Sequence, residues 1–333
     1  MKSTLIALVV FLGSIWLLLA WSSSAPGDSF LGAQAALSSD EQESAGRIAE
    51  TCEALASDIG TRGAHAPAAE EETRDYLQRE LRRAHVDFSE IELDCSGVPS
   101  KAFEALLVGR GLAKESIILG AHYDCRAGSP GADENASGVA VLLEVLRIMA
   151  GSGYDRTLRF VFWSSPAGAS PGNEKSGAWA YARRLRARKE QVAAVLCLDR
   201  LGIFKDAAGS QSVPFPLGLM YPSKGDFVAF VGDWGVHSLL DKSCSEFRRV
   251  CRFPSQSMSF PGALDFVSAS DDGAFRENGY SAIRITDTGS WRSPAVGTAA
   301  DTPRNLDSAR MGRLAHGISQ TVTGLAKKTL SLL

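Results

Sequence analysis

The stretch His122–Gly138 reads HYDCRAGSPGADENASG and places an imidazole, several carboxylates and a glycine-rich loop within 17 residues. The run before it, Ser116–Ala121 (SIILGA), is apolar and ends in small residues, which predicts a buried strand. The segment after it, Ala136–Ala150, carries apolar side chains at helical spacing. The polar loop is therefore predicted to join the C-terminal end of a strand to the N-terminal end of a helix. In an open α/β sheet that crevice is where ligands usually bind.

Strand and helix patterns alternate along the rest of the chain. Short apolar runs predict further strands at Val86–Cys95, Phe103–Val108, Leu158–Trp163, Ala193–Leu198 and Ser281–Thr286. Helical patterns are predicted at Ser39–Gly60, Ala68–His85, Glu174–Arg188, Asp226–Leu240 and Asp307–Leu332. This order predicts the α/β class, with a mostly parallel, mixed central sheet and helices on both faces.

Composition limits the classes of function. The chain has 333 residues, of which 45% are hydrophobic and 22% charged, so it can form one large α/β domain or two small ones. The net charge of −3 and the lack of a dense basic run give no reason to expect nucleic-acid binding. Six scattered cysteines do not predict a disulfide scaffold. Cys244 and Cys251 could close a short loop in an oxidising compartment or remain free thiols.

The N-terminal sequence predicts a targeting signal. Thr4–Trp21 is an uncharged apolar run of 18 residues behind Lys2, between the usual lengths of a signal-peptide core and a spanning helix. Pro26 directly follows Ala25 and would hinder cleavage there. Residues 1–25 are therefore predicted to be a signal-anchor or a signal peptide, residues 26–39 a linker, and residues 40–333 the domain. The prediction is a membrane-anchored protein facing the periplasm or the cell exterior, with secretion as the alternative.

The residues of the central loop have metal-binding chemistry. His122 offers a neutral ring nitrogen, and Asp124 two positions later can orient that ring. Asp133 and Glu134 offer carboxylate oxygens from the loop. A histidine that is merely hydrogen-bonded to Asp124 is the alternative interpretation.

The order of these motifs resembles that of metallopeptidase family twenty-eight. The matching blocks are HYD, GADENASG, the strand RTLRFVFW, the strand VLCLDRLGIF and the segment SDDGAFRENGYSAIRITDTG. They extend over about residues 40–330. The family contains zinc aminopeptidases, glutaminyl cyclases and non-catalytic relatives, so the resemblance implies a zinc-exopeptidase-like fold.

The resemblance also implies a set of metal ligands. Active members hold two zinc ions with five side chains and use a glutamate as general base. By position, His122 and Asp199 correspond to two ligands. Glu134 stands where the family has a bridging aspartate, and Asp133 beside it is a substitute.

Several positions depart from the family pattern. The paired glutamates, one the base and one a ligand, should follow LRFVFW, where this chain has SSPA at residues 164–167. Glu174 is the nearest carboxylate and a weak candidate base. Gly297 stands where the last histidine ligand is expected, and Asp272 replaces the histidine of an S-D-H motif.

These departures predict at most one zinc ion. No organic cofactor is predicted. The first hypothesis is an aminopeptidase-like protein that is catalytically impaired or inactive, since loss of a general base alone typically costs about 10²–10⁴ in rate. The second is an active single-metal hydrolase with a rebuilt site. The third is a non-catalytic module that binds a peptide or a protein.

Overall fold

A computed structural model describes residues 2–165, 173–215 and 217–327. In these ranges eight strands form one sheet. The strands are β1 (Phe88–Asp94), β2 (Pro99–Leu107), β3 (Leu112–His122), β4 (Arg156–Trp163), β5 (Gln191–Leu198), β6 (Val228–Asp233), β7 (Ser255–Phe260) and β8 (Ala282–Thr286). The α-helices are α1 (Lys2–Ser23), α2 (Ser39–Glu53), α3 (Pro67–Arg83), α4 (Gly138–Met149), α5 (Gly177–Ala187), α6 (His237–Val250), α7 (Asp265–Ser268), α8 (Asp271–Glu277) and α9 (Ser308–Leu325).

The sheet is mixed, with a parallel centre. Its strand order is β1-β2-β4-β3-β5-β8-β6-β7. The neighbours β4, β3, β5 and β8 run parallel to one another, while β1 and β2 pair antiparallel at one end. At the other end β6 and β7 are parallel to each other and antiparallel to β8. The predicted fold class is confirmed.

Helices cover both faces of the sheet, because its central strands alternate their side chains between two cores. On β3, Ile117 and Leu119 belong to the larger core, which includes apolar residues of α2, α4 and α9. Ile118 belongs to the smaller core, with residues of α5 and α8. Strands buried on both faces carry nearly continuous apolar runs, which is why the sequence revealed them.

The prediction of a helix over Asp226–Leu240 was wrong. Val228–Asp233 is strand β6, and the helix begins only at His237. The run VAFVGD is apolar without a clear period, and such a run cannot distinguish a strand from a buried helix. Strand β7 was not predicted, because SQSMSF alternates buried serines with other residues instead of presenting an apolar run.

The N-terminal helix α1 ends on the domain. The Trp21 ring lies 4.1 Å from the ring of His237, centroid to centroid. The following residues lie along the domain surface: Arg248 donates to the Ala25 carbonyl at 2.7 Å, and Arg313 donates to that of Ala35 at 2.7 Å. Among the residues that the structure describes, no helix combines the length and apolarity needed to cross a bilayer. The six cysteines, including Cys244 and Cys251, are free thiols.

A buried arginine holds the loop that carries the site. The Arg62 side chain has no solvent exposure, and its guanidinium donates to backbone carbonyls on both sides of the loop. The acceptors are the carbonyl oxygens of Leu55, Gly60, Tyr123, Pro130 and Gly131, at 2.6–3.1 Å. These bonds fix the start of the glycine-rich loop against the end of β3.

We expect Arg62→Met to lower the free energy of unfolding by about 3 kcal/mol or more, because it leaves several buried carbonyls without donors. Urea unfolding of the variant measures this loss. Arg188→Met, at an exposed position, is the matched control and should change the free energy by less than about 0.5 kcal/mol. An equal effect of the two substitutions would contradict this role of Arg62.

Candidate active site

The candidate site lies at the edge of the sheet where the parallel strands end. Strand β3 ends at His122, and β5 ends one residue before Asp199. Because β3 and β5 are parallel neighbours, these two side chains meet. His122 Nε2 lies 3.7 Å from Asp199 Oδ1. The structure thus brings together two of the side chains that the sequence analysis named as candidate metal ligands.

His122 is buried and faces oxygen atoms on both sides. Its Nδ1 lies 3.0 Å from the backbone carbonyl of Asp124 and 3.5 Å from the Asp124 carboxylate. The carbonyl is thus closer than the carboxylate that the sequence predicted as the orienting group. Burial lowers the pKa of His122, but its interactions with Asp124 and Asp199 raise that pKa well above the usual range. The two carboxylates beside the ring therefore favour its protonated, cationic form.

Two arginines face the carboxylate of Asp199. Arg200 Nη2 donates to Asp199 Oδ2, and Arg284 Nη1 lies 3.8 Å from the same oxygen. Burial raises the pKa of Asp199, but the charges of Arg200, His122 and Arg284 outweigh burial and hold that pKa below its usual range. The carboxylate is ionised, and its charge is balanced by cations of the chain.

Glu134 occupies the space beside Gly297. A Cβ atom placed on Gly297 would stand only 2.3 Å from Glu134 Oε2, and Gly297 has a positive φ of 70°. On its other oxygen, Glu134 lies 3.8 Å from the Arg126 guanidinium. The Glu134 carboxylate thus fills the space that a side chain at residue 297 would need.

Asp133 faces the protein interior. Its Oδ1 accepts hydrogen bonds from the Gly202 amide at 2.9 Å and the Ser137 hydroxyl at 3.1 Å. Burial and the charges of Asp287 and Asp301 raise its pKa well above the usual range. The structure therefore gives Asp133 local hydrogen bonds and no contact with His122 or Asp199 among the described interactions.

The Asn135 side chain connects the loop to the ends of β5 and β3, and its amide nitrogen lies 3.4 Å from the His122 carbonyl oxygen. Its amide nitrogen donates to the Leu198 carbonyl at 3.0 Å, and its amide oxygen accepts from the backbone of Gly138 and Arg200 at 3.2 and 2.9 Å. Both the nitrogen and the oxygen of this buried side-chain amide are therefore hydrogen-bonded. It sets the distance between the loop and the Asp199 strand.

The end of β4 carries serines. The Ser164 hydroxyl donates to Glu70 at 2.9 Å, and Ser165 Oγ accepts from the Gly177 amide at 3.2 Å. Pro166 and Ala167 lie outside the described residues. Glu174, the weak candidate base, is exposed, and its backbone carbonyl accepts from Ser96. No described contact connects its carboxylate to the site.

The S-D-D segment places two more buried acids here. Asp272, in place of the family histidine, is bound by Arg276 and lies 3.9 Å from Arg284. Asp271 Oδ2 accepts a hydrogen bond from the Trp163 ring nitrogen at 2.8 Å. Burial raises the pKa of Asp271 to about 6.

Sequence reasoning missed Arg200, Arg284, Asn135 and Asp271 as members of the site. Arg200 directly follows Asp199, and Arg284 lies in a buried strand, SAIRIT. A charged residue within a buried strand signals a partner. That signal was present in the sequence for Arg284. Nothing in the sequence indicates that the Arg200 side chain turns towards Asp199.

The described side chains do not fit the zinc centre of the family. Within the described part of the chain, no group of three or more His, Cys, Asp or Glu side chains is placed to hold a metal ion. Asp199 already faces two guanidinium groups, and Glu134 is turned towards Gly297. A zinc ion would have to displace a positive charge to reach Asp199.

The sheet order and the site at this edge define the class of protein, an α/β protein with a mixed eight-stranded sheet. Solved structures of the same fold include a Legionella pneumophila LapA aminopeptidase (TM-score 0.64, 17% identity, covering 89% of this chain and 78% of that one). BSAP, a zinc aminopeptidase from Bacillus subtilis, matches with a TM-score of 0.65 at 14% identity, covering 86% and 96%. The Fimbriiglobus ruber glutaminyl cyclase matches with a TM-score of 0.61 at 15% identity, covering 90% and 99%.

The chain belongs to peptidase family M28. The profile described as "Peptidase family M28" matches residues 105–322. A relative in Escherichia coli (strain K12), the uncharacterized protein YfbL, is 30% identical over 216 residues. That alignment covers 61% of this chain and 64% of YfbL, so the chain spans less than two thirds of its curated relative.

The raised pKa of Asp271 predicts a pH-dependent stability. Its folded-state pKa of about 6 exceeds the unfolded value of about 3.9, so its stabilising contribution is full below about pH 4 and is lost as the pH rises through about 6. Asp271→Asn keeps an oxygen acceptor for Trp163 and removes this titration. We expect the variant to be more stable than the parent at about pH 8, by on the order of 2–3 kcal/mol, and no more stable at about pH 4.

Urea unfolding of both proteins across this pH range measures the difference, with the exposed Asp28→Asn as control. A gain in stability that is independent of pH would contradict the titration of Asp271.

Proposed function

We propose that this protein is a family M28 member that binds a peptide or a peptide-like ligand in its aminopeptidase-type cleft and does not carry out zinc-dependent hydrolysis. The observation that carries the proposal is the pairing of Asp199 with Arg200 and Arg284. A guanidinium balances the carboxylate charge as a metal ion would. It remains protonated, however, and does not generate a metal-bound hydroxide near neutral pH.

Two further positions that correspond to metal ligands in the family, Glu134 and Gly297, also support the proposal. Glu134 and Gly297 are complementary: the longer acid fills the room that glycine leaves. With its carboxylate in that room, Glu134 supports packing at this point instead of a bridge between two ions. This exchange of side-chain volume supports the loss of two metal positions together.

The proton-transfer group of the family has no counterpart in the sequence at residues 164–167. The general base of such a reaction must lie within hydrogen-bond reach of the attacking water. Glu174 is exposed and has no described contact with the site. Binding without turnover therefore agrees with the available side chains.

A single-metal hydrolase is the second candidate, and one observation favours it. His122 Nε2 and Asp199 Oδ1 lie 3.7 Å apart. Two ligands of one tetrahedral zinc are separated by about 3.3 Å, given bonds of about 2.0–2.1 Å. These two atoms need only a small movement to share an ion, provided that His122 loses its proton and Arg200 moves away.

Metal content and turnover separate the two candidates. We expect the purified full-length chain, after dialysis against zinc and then buffer, to retain well below one zinc ion per chain. We expect no hydrolysis of leucine p-nitroanilide above background, with or without added zinc. One tightly bound zinc per chain, together with turnover that His122→Ala abolishes, would establish the hydrolase instead.

Restoring the side chains that bind metal in the family tests whether these positions account for the proposed loss of zinc binding. Gly297→His alone should not raise the zinc content, because its Cβ would stand only 2.3 Å from Glu134 Oε2. The full variant combines Gly297→His with four further substitutions. Glu134→Asp clears the space, Arg200→Gln releases Asp199, and Pro166→Glu and Ala167→Glu restore the two acids. We expect zinc stoichiometry, measured by atomic emission, to rise only in this five-residue variant. An increase in Gly297→His alone would contradict the proposed role of Glu134.

We also propose that the N-terminal segment directs the domain to the periplasmic or extracellular side, as an anchor or as a cleaved signal. The support is the apolar run behind Lys2 and the strong exposure of Val9, Phe11 and Trp16 on α1. Cell fractionation and N-terminal sequencing of the recovered protein test this. Recovery of the intact chain only in the cytosol would contradict it.

A further inference from the structure

A cavity of about 330 Å³ opens beside Asp199, between the strands β6, β7 and β8 and the residues that follow β8. One part of its wall is apolar and another is strongly basic. Its principal wall residues are Val231, Met258, Phe260, Trp291, Arg200 and Arg284. The volume lies at the lower end of the range of small-molecule sites, about 300–1,000 Å³.

The charged side chains on this wall are all positive. None of its described residues is acidic, whereas two are arginines. The carboxylates that face these arginines, Asp199 and Asp272, are not part of the wall. Each guanidinium has five N–H donors, so contact with one carboxylate does not exhaust its capacity. In addition, Arg200 Nε is buried and has no hydrogen-bond partner among the described residues.

The threonine hydroxyls of the wall already have partners. Thr288 is hydrogen-bonded to the side-chain amide of Gln211 at 2.9–3.1 Å, and Thr286 donates to the Arg200 carbonyl at 3.4 Å. The arginines are therefore the main source of polar recognition in this cavity.

We propose that the cavity binds a carboxylate carried on a short apolar body. The arginines would receive the carboxylate, since the planar guanidinium matches its geometry, and the apolar wall would cover the body. A cationic ligand would be repelled. A neutral apolar ligand would shield the guanidiniums from water without giving them a new acceptor, which costs free energy. The inference deepens the proposed function, on which it rests, by naming the ligand chemistry of the same cleft.

Two sources could supply such a carboxylate: a free organic acid, or an acidic side chain of a peptide. Calorimetry on the full-length protein in EDTA distinguishes them with two matched pairs of probes. The first pair is 4-phenylbutyrate and 4-phenylbutyramide. The second is the dipeptide amides acetyl-Leu-Glu-NH₂ and acetyl-Leu-Gln-NH₂. In at least one pair, we expect the acid to bind about tenfold to 100-fold more tightly than its amide, the effect of a charge-assisted hydrogen bond.

Arg284→Gln should remove this preference for the acid, while Arg249→Gln, at a surface pair with Glu246, should retain it. Thermal unfolding of each variant confirms that it is folded. If Arg284→Gln does not fold, Ser290→Trp provides the test, because it fills the cavity from an exposed position. That variant should lose binding of the acid.

Equal affinity for acid and amide in both pairs would overturn the proposal, as would a preference that survives in Arg284→Gln. Absence of binding by all four probes would also overturn it. The metal and turnover measurements are independent of these results. A zinc-dependent hydrolase whose acid preference still depends on Arg284 would contradict only the proposed function. A metal-free protein without that preference would contradict only the cavity's ligand.

Discussion

A carboxylate that is removed from water must be paired with a cation, hydrogen-bonded or protonated, because an isolated buried charge is too costly to keep. This constraint governs the whole edge of the sheet at which the parallel strands end. Six aspartates are buried there: Asp133, Asp199, Asp271, Asp272, Asp287 and Asp301. Asp199 and Asp272 face arginines, and Asp133, Asp287 and Asp301 accept hydrogen bonds from backbone amides. Asp271 accepts a hydrogen bond from a tryptophan N–H and has a raised pKa.

The same constraint underlies the proposed exchange of the family's metal centre for cations of the chain. Zinc supplies two positive charges where several acids converge, and an acid without that charge would destabilise the fold. Arg200 and Arg284 supply positive charge from the chain itself. In the proposed function these arginines take the place of the metal charge, and no Lewis acid is left to activate water.

Packing couples two other positions that lie far apart in the chain. Glu134 is one methylene longer than the aspartate expected there, and Gly297 lacks the side chain that would occupy the facing space. Close-packed interiors leave few voids, so a larger group at one position requires a smaller one opposite. Arg62 and Asn135 keep the loop in the place where this complementarity holds, through backbone hydrogen bonds on either side of it. The ligand preference inferred for the neighbouring cavity depends on two other arginines, Arg200 and Arg284.

The amino-acid sequence by itself determined the α/β class and the parallel central strands. These features depend on apolar runs, which are local patterns. The family resemblance, not a local pattern, is what assigned His122 and Asp199 to one candidate site. The sequence also determined that no acid follows β4 at residues 164–167. Only the tertiary structure decided that Arg200 turns towards Asp199, that Glu134 fills the room beside Gly297, and that Asp271 lies against Trp163. It also decided that β6 is a strand, because an apolar run without a period fits either kind of element. These contacts join segments distant in the chain, and side-chain direction at such a meeting depends on charge and volume supplied by the other segment.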